Sequence, residues 1–348
     1  MMQVSLRTHR SGGGIVAIAL LLGLAGCGMP SATVDQLVVY TSVDQNVSEP
    51  VFADFEAETG IDVLPVFDLE AAKTTGLVNR LIAEAGAPQA DVWWNGELSQ
   101  TIRLAEAGLL DSYASPSAEG IPAAYRDADA RWTGFGGRAR VFLVNTTALT
   151  PDRYPSGLSD LLDPEREAAR IGLAYPVFGT AAAQAAALYA VWGRPRARAY
   201  YADLARRGIR VVDGNSVVRD LVVEGQLDWG LTDTDDACGA VERGAAVEII
   251  FPDQRQGEIG TLVVPNSVGL IRGGPNPDPA RRFVDWLLRP ETEARLIDDG
   301  WIQLGLHPGV AAPACIPVDD VRGHAVSPAQ AAEQIDAAKA DMAEIFVR

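Results

Sequence analysis

The sequence predicts an α/β fold built on a parallel sheet, and three observations lead there. From Gln36 onward, short apolar or β-branched runs alternate with stretches whose apolar residues recur at helical spacing, the order that lays helices over a parallel sheet. Each strand run leaves through a polar loop into the next helix, so the loops gather along one edge of the sheet, where open α/β folds bind their ligands. The chain has 348 residues, 48% hydrophobic and 22% charged, enough for a sizeable core and long enough for two lobes.

The sheet does not begin at Met1. Residues 1–26 read as a targeting segment: Arg7, His9 and Arg10 give a positive start and Ile15 to Leu22 a short apolar stretch, too short to span a bilayer. Leu24, Ala25, Gly26 and Cys27 resemble a bacterial lipobox, in which Cys27 is lipidated and becomes the first mature residue. Residues 27–36 are then a tether to the membrane, and no later run is long enough for a transmembrane helix. Losing residues 1–26 removes two arginines and no acid, so the formal charge moves from −17 to −19. Such a balance excludes a basic nucleic-acid footprint. With Cys27 used by the anchor, Cys238 and Cys315 remain outside the cytosol, where paired thiols are favoured, so a disulfide is expected, the alternative being two buried thiols.

The elements follow in order. Leu37–Tyr40 is a strand, leaving through Thr41 to Gln45 into an amphipathic helix, Val47–Glu58, that Gly60 closes. Ile61–Phe67 is the next strand; it exits through Asp68, Leu69 and Glu70 to a helix opened by Lys73, Thr74 and Thr75 and running to Glu84. Asp91–Trp94 is a third strand, leaving through Asn95, Gly96 and Glu97 into a helix that ends near Gly108. Further on, the β-branched run Ile209–Val212 turns at Asp213, Gly214 and Asn215 into a helix carrying Val217, Val218, Leu221 and Val222, which Gly225 ends. The apolar strand Leu227–Leu231 then runs into Thr232, Asp233, Thr234, Asp235 and Asp236. Three carboxylates at one strand exit raise each other's pKa unless a cation relieves them, which marks a candidate ligand site. The plainer alternative is that Asp233 or Asp235 caps the next helix.

Several stretches together resemble a known family: VVYTSVDQ, DLEAAKTTGLVNRLIAE, ADVWWNGE, GFGGRARVFLVNT, PVFGTAAA, DGNSVVRDLVVEGQLDWGLTDTDDA and PNSVGLIRGGPNPDPARRFVDWLLRPETEARL. In this order, over about Leu37 to Leu296, they are similar to the solute-binding proteins of ABC importers, most of all the branch that includes ferric-ion-binding proteins. The resemblance implies a two-lobed type II periplasmic-binding-protein fold with two hinge crossings, near Arg140–Asn145 and Leu262–Leu270, and closure that traps the ligand. Lobe 1 is then expected at 37–140 and 265–348 and lobe 2 at 141–264. Asp278–Leu288 and Glu291–Leu296 would be helices of the first lobe. A terminal helix, with Ser327 as N-cap and Pro328 at its first position, would run to about Phe346 and pack outside that lobe. The implied partners are an inner-membrane permease and a small-molecule or metal-ion ligand, with no enzymatic cofactor and a monomeric chain.

One departure bears on the ligand. Where the ferric-binding members place two adjacent tyrosines on iron, this sequence has Asp235 and Asp236, and Asp233 stands where an asparagine helps hold a companion anion. Tyr200 and Tyr201 are adjacent but fall in the helical stretch Arg196–Arg207, where packing explains them.

The helix starts at Lys73–Thr75 and Gly179–Ala181 offer N–H groups to an anion. Against them, Asp44, Asp68, Glu70, Glu97, Asp233, Asp235 and Asp236 all fall on loops at the expected cleft, and would repel a bare anion by roughly 4 kcal/mol per close pair at intermediate dielectric. A hard metal ion or an organic amine fits such a site better. Asp235 and Asp236 are the candidate metal ligands, with Tyr40 and Tyr175 as phenolates. Trp94 or its neighbour Trp93 would supply an aromatic wall, strand alternation sending the other to the core. Thr74, Asn95, Thr180 and Asn215 are candidate contacts, though Asn215 and Ser216 also suit helix capping. Arg138 and Arg140, on one face of their strand, read as structural ion pairs for the acidic loops or as a place for an anion. Ferric iron leads, with phosphonate, polyamine and thiamine-like ligands as alternatives. An exported hydrolase is disfavoured: of three histidines, His9 lies in the cleaved segment, and no Gly-x-Ser-x-Gly, His-Glu-x-x-His or Cys-x-x-Cys is present.

Overall fold

The computed structural model describes residues 35–68, 75–317, 321–324 and 326–347. Cys27, Glu70, Lys73 and Thr74 lie outside these residues, as does the targeting segment. The first βα units form where the apolar spacing places them: β1 (Gln36–Thr41), α1 (Gln45–Thr59), β2 (Asp62–Phe67), α2 (Thr75–Ala83), β3 (Val92–Asn95) and α3 (Ser99–Glu106). Gly60 ends α1 in the left-handed conformation at φ 70°, its N–H on the Glu56 carbonyl, a geometry that costs glycine little. A two-residue strand, β4 (Leu110–Asp111), precedes the long β5 (Thr133–Asn145). Then come β6 (Ile171–Ala174), α4 (Gly179–Trp192), α5 (Arg194–Arg207), β7 (Arg210–Val212), α6 (Asn215–Val223), β8 (Trp229–Asp233), α7 (Thr234–Glu242), β9 (Val247–Ile250) and β10 (Val263–Ile271). Helices α8 (Pro277–Leu287), α9 (Pro290–Asp298), α10 (Pro328–Ala332) and α11 (Ile335–Ile345) follow.

The strands run β2-β1-β3-β10-β5-β8-β6-β7, with β4 on β10 and β9 on β5. The parallel expectation holds within each half: β1 is parallel to β2 and β3, and β6 to β7 and β8. It fails at the two central strands, because β5 and β10 pair antiparallel with all their neighbours. Strand β5 is the connector. Its first part, Thr133–Ala139, pairs with β10, and its second part, Arg140–Asn145, with β8 and β9. A strand shared by two sheets joins two lobes while keeping its backbone hydrogen bonds satisfied throughout.

Each half has its own core. In the first, Phe52, Phe55, Trp94, Phe135 and Phe283 pack between the sheet and α1, α8 and α9, while Tyr40, Val78, Trp93 and Leu104 fill the side of α2 and α3. In the second, Phe142, Tyr189, Tyr201 and Trp229 pack under α4 and α5, and Val141, Val218, Val222 and Ala237 under α6 and α7. Within the part of β5 that pairs with β10, at an irregularity in that pairing, Gly136 has φ 36° and donates its N–H to Glu293 Oε1 at 2.6 Å; a Cβ there would meet Ile302 Cδ1 at 2.1 Å, so only glycine fits.

The C-terminal segment differs from expectation. Ser327 does cap α10, in a reciprocal box with Gln330, and Pro328 is its first residue. That helix is short, and it touches both α3 and α4. The following α11 packs on α4 and α5 of the second half, not outside the first lobe. Ala338, Met342 and Phe346 join the Tyr189–Tyr201 core, and the buried Asp341 carboxylate accepts from Tyr189 Oη at 2.7 Å and from Arg194 at 2.8 and 2.9 Å. These bonds, with the apolar packing of Ala338 and Met342, hold the helix on α4 and α5. Besides the strand crossings, the segment after α9 also passes between halves: Ile302 and Leu306 lie against the first core, Cys315 and Ile316 against the core of α6 and α7. There the expected disulfide forms between Cys238 on α7 and Cys315, with Cα atoms 5.3 Å apart.

Candidate functional site

The acidic exit of β8 has no loop. Thr232 and Asp233 complete the strand, Thr234 opens α7, and Asp235 and Asp236 fill its first turn, where the helix dipole favours negative charge. Asp233 stands at the N-cap position, yet its side chain makes no capping hydrogen bond. Its carboxylate turns to three other elements instead. Oδ1 accepts from Arg140 Nη1 at 2.7 Å; Oδ2 accepts from Thr180 Oγ1 at 2.6 Å and Asn215 Nδ2 at 2.9 Å. Asn215 Oδ1 accepts from the same Arg140 nitrogen at 2.8 Å. One buried ion pair therefore ties β5, β8 and the starts of α4 and α6 together, with Arg140 fully buried and Asp233 3% exposed. Asn215 is a member of this cluster, not a cap; the N-cap of α6 is Gly214.

Asp235 and Asp236 each meet a different arginine. Asp235 Oδ2 lies 3.4 Å from Arg138 Nη1, and Asp236 Oδ1 accepts from Arg219 Nη1 at 2.9 Å. Burial raises the Asp235 carboxyl above its ordinary range, with Arg138 opposing and Asp233 adding to the rise. Burial likewise lifts Asp236 to about 7, helped by Asp235 and Asp233 and resisted by Arg219 and Arg138. Beside them Thr234, fully buried, accepts from the Ala139 N–H and donates to Gln303, each at 3.0 Å.

Arg138 connects this cluster to the first half. Its Nη2 donates to the Gly96 carbonyl at 3.0 Å, and its guanidinium lies 5.1 Å from the Trp301 ring centroid. That contact brings the β3–α3 loop to the site. In that loop Asn95 is fully buried, accepting from Ser42 Oγ and donating to Glu97 Oε1 at 3.0 Å. Glu97 in turn caps α3, its Oε2 accepting the Ser99 N–H at 2.6 Å and its Oε1 the Gln100 N–H at 3.1 Å. Asp44 sits half-buried at the N-cap position of α1.

Two expected contacts are core residues. Tyr40 is fully buried under α2, with its hydroxyl on Glu84 at 3.0 Å and Arg80 over its ring; burial and Glu84 hold its pKa up at about 12. A phenol so placed has no face toward the cleft. Trp94 is equally buried, packed edge-on to Phe52, and Trp93 donates to Thr101 at 2.8 Å, so neither tryptophan forms a wall. Strand β3 is covered on both faces, and alternation therefore exposes neither. Tyr175 remains at the edge, half-buried, its ring 6.2 Å from that of Phe178, which is 70% exposed beside the start of α4. Tyr200 and Tyr201 are buried in α5, as packing predicts. Among the described residues, no group of three His, Cys, Asp or Glu side chains stands together as a metal cage.

The sequence reading overlooked Arg219 and Trp301. Arg219 lies four residues after Asn215, one turn along the same face of α6, and that spacing was the available signal. Trp301 follows α9 in an irregular segment with no periodicity to mark it.

A two-sheet α/β protein with a shared strand and a polar cluster at the strand exits now has known counterparts. The sequence profile of the bacterial extracellular solute-binding proteins matches residues 37–302. The chain belongs to that family. It is a solute-binding protein that acts outside the cytoplasm, and not an enzyme. It is 26% identical over 298 residues to Iron uptake protein A1 of Synechocystis, covering 80% of each chain. It is also 26% identical over 293 residues to a putative 2-aminoethylphosphonate-binding periplasmic protein of Salmonella typhimurium, covering 82% of this chain and 83% of that one. Among solved structures, Trichodesmium IdiA (FutA) in complex with iron and citrate superposes with a TM-score of 0.78 at 21% identity, covering 90% of this chain and 100% of that one. The family's two-lobed type II fold is the one described above.

Proposed function

We propose that this protein is the solute-binding component of an ABC importer, taking a small solute with a positive centre into the cleft where β5, β8 and α7 meet and handing it to an inner-membrane permease. The observation that carries the reading is the pair Asp235 and Asp236, whose carboxyls are held above their ordinary range despite Arg138 and Arg219. Burial is the main cause, and a cation closing the cleft favours their ionised forms. Ferric iron leads because the relatives named for iron match most of the chain. In the proposed division, 37–140 and 265–306 form lobe 1, while 141–264, Cys315–Ile316 and the terminal helix α11 form lobe 2. Cys27 anchors a monomer to the membrane.

Metal analysis and native mass spectrometry of protein purified without chelators test the cargo, and one iron per chain is the expected result. A metal-free protein whose melting temperature responds to an organic amine moves the cargo to that class and leaves the importer role in place. For the anchor, Cys27→Ala is expected to release the protein from the membrane fraction.

A further inference from the structure

We propose that α10 is a strap: it fixes how the two halves sit against each other, and any relative movement of the halves has to shear it across α3. The inference goes beyond the importer reading and holds for any cargo. It starts from where the helix is fastened. Just before it, the chain at Arg322 to His324 is bonded to the segment of the second half that leads into β10. Thr261 donates its N–H to the Arg322 carbonyl at 3.0 Å, and its carbonyl accepts the His324 N–H at 2.9 Å. Gln254 Oε1 accepts the Arg322 N–H at 2.8 Å, and the Arg322 guanidinium donates to the Glu258 carbonyl at 2.7 Å. Just after α10, Asp341 holds α11 on α4 and α5. Both ends of the strap are therefore tied to the second half.

The helix between those ties rests on both halves. It touches α4 and α3, with Ala332 packed against the core of α2 and α3 and Ile335, three residues on, against the core of α4 and α5. Among the described residues, no hydrogen bond or ion pair joins α10 to α3, and the contact of Ala332 with the first half is apolar. Hydrogen bonds demand a distance and an angle, whereas apolar contact has no direction and survives a slide. The joint beneath is also loosely filled. A cavity lies under α10, lined by Leu98 of the first half, Ala183 of α4, Val263 and Pro265 of the crossing strand, and His324 and Ala332. Both ring nitrogens of His324 are buried and make no hydrogen bond. Interiors are normally close-packed with their polar groups paired, so this joint keeps slack that a fixed one would lose. The segment after α9 crosses between the halves on the side of α1 and α7, and α10 crosses on the side of α3 and α4, so the two flank the central strands on opposite faces.

Distances between nitroxide labels test the proposal. In the Cys27→Ala protein, whose other two cysteines are paired, the labels go on Ala57→Cys in α1 and Glu224→Cys at the end of α6, both exposed positions. Replacing residues 328–332 by a Gly-Ser linker of equal length is expected to widen the distance distribution at least about twofold, as loss of a restraint on a two-body ensemble warrants. Ala332→Asp, which puts a charge against the core of α2 and α3, should widen it less, and Glu333→Gln, at an exposed position next to it, should leave it unchanged. Circular dichroism and thermal melts confirm that each variant folds. An unchanged width in the linker variant would overturn the proposal and leave the central strands to set the arrangement. Equal widening in Glu333→Gln would overturn it too. If the linker variant does not fold, Ala332→Asp decides alone: widening supports the strap, and an unchanged width overturns it.

Discussion

Asp236 shows how one carboxyl can set a pH response. Its folded pKa of about 7 stands above the ordinary 3.8, so the native protein holds a proton that the unfolded chain gives up between those values. The stabilisation is fully present below pH 4 and is lost as pH rises through 7. The melting temperature of ligand-free protein is therefore expected to fall from pH 5 to pH 8, and Asp236→Asn to flatten that slope. A pH series of thermal melts on both proteins decides it, and an unchanged slope in the variant would rule out Asp236 as the cause. Asp233 makes a contrasting case. Arg140→Leu leaves its buried carboxylate without a cation, and about 3–5 kcal/mol of stability should go with it in denaturant titration. At this scale the sequence was informative about residue type and much less about direction. The exit cluster of β8 and the arginine pair on β5 were visible as polar residues on known strands. That Tyr40 and Trp94 face inward was not, because β3 and its neighbours are covered on both sides and the alternation rule assumes one open face.

Helix α7 joins the site to the frame. Its first turn carries Asp235 and Asp236, its fourth residue after Thr234 is Cys238, and the disulfide fixes that point to Cys315, 77 residues away. Closing so long a loop restricts the unfolded chain, so Cys238→Ser with Cys315→Ser should cost roughly 2–5 kcal/mol in chemical denaturation. The same variant is expected to weaken cargo binding, because the first turn of α7 loses its brace; calorimetry beside the denaturation curve separates the two effects. Most elements could be placed from apolar spacing, since α1, α8 and β8 each carry a clear period and a recognisable start or stop. The one terminal helix expected from its Ser327 cap is two in the structure: the cap places α10, but nothing local marks the break before α11 or the neighbour that α11 packs on. The docking of α11 depends on Tyr189 of α4 and Arg194 of α5 meeting Asp341, a long-range pairing that no local period encodes.

For the molecule as a whole, β5 and β10 join the halves, and polar contacts also span them: Arg138 to Gly96 and Asp235, and Thr234 to Gln303, beside α10, which touches α3 and α4. Cargo bound in the cleft should favour the closed arrangement, and small-angle scattering is expected to show a smaller radius of gyration when the protein is loaded. Gly136→Ala, which would push into Ile302, is expected to lower thermal stability and widen that radius in both states.

The berth of α11 has a further consequence, for the order in which the chain is made. The face of α4 and α5 that it covers is complete more than a hundred residues before Ala338 and Met342 are synthesised. Until α11 is made and docks, Tyr189 and the charged ends of Arg194 and Arg198 have no Asp341 to meet. The second half is thus complete only once α11 has docked, and a chain cut short before Ile335 would present an open apolar flank to proteases.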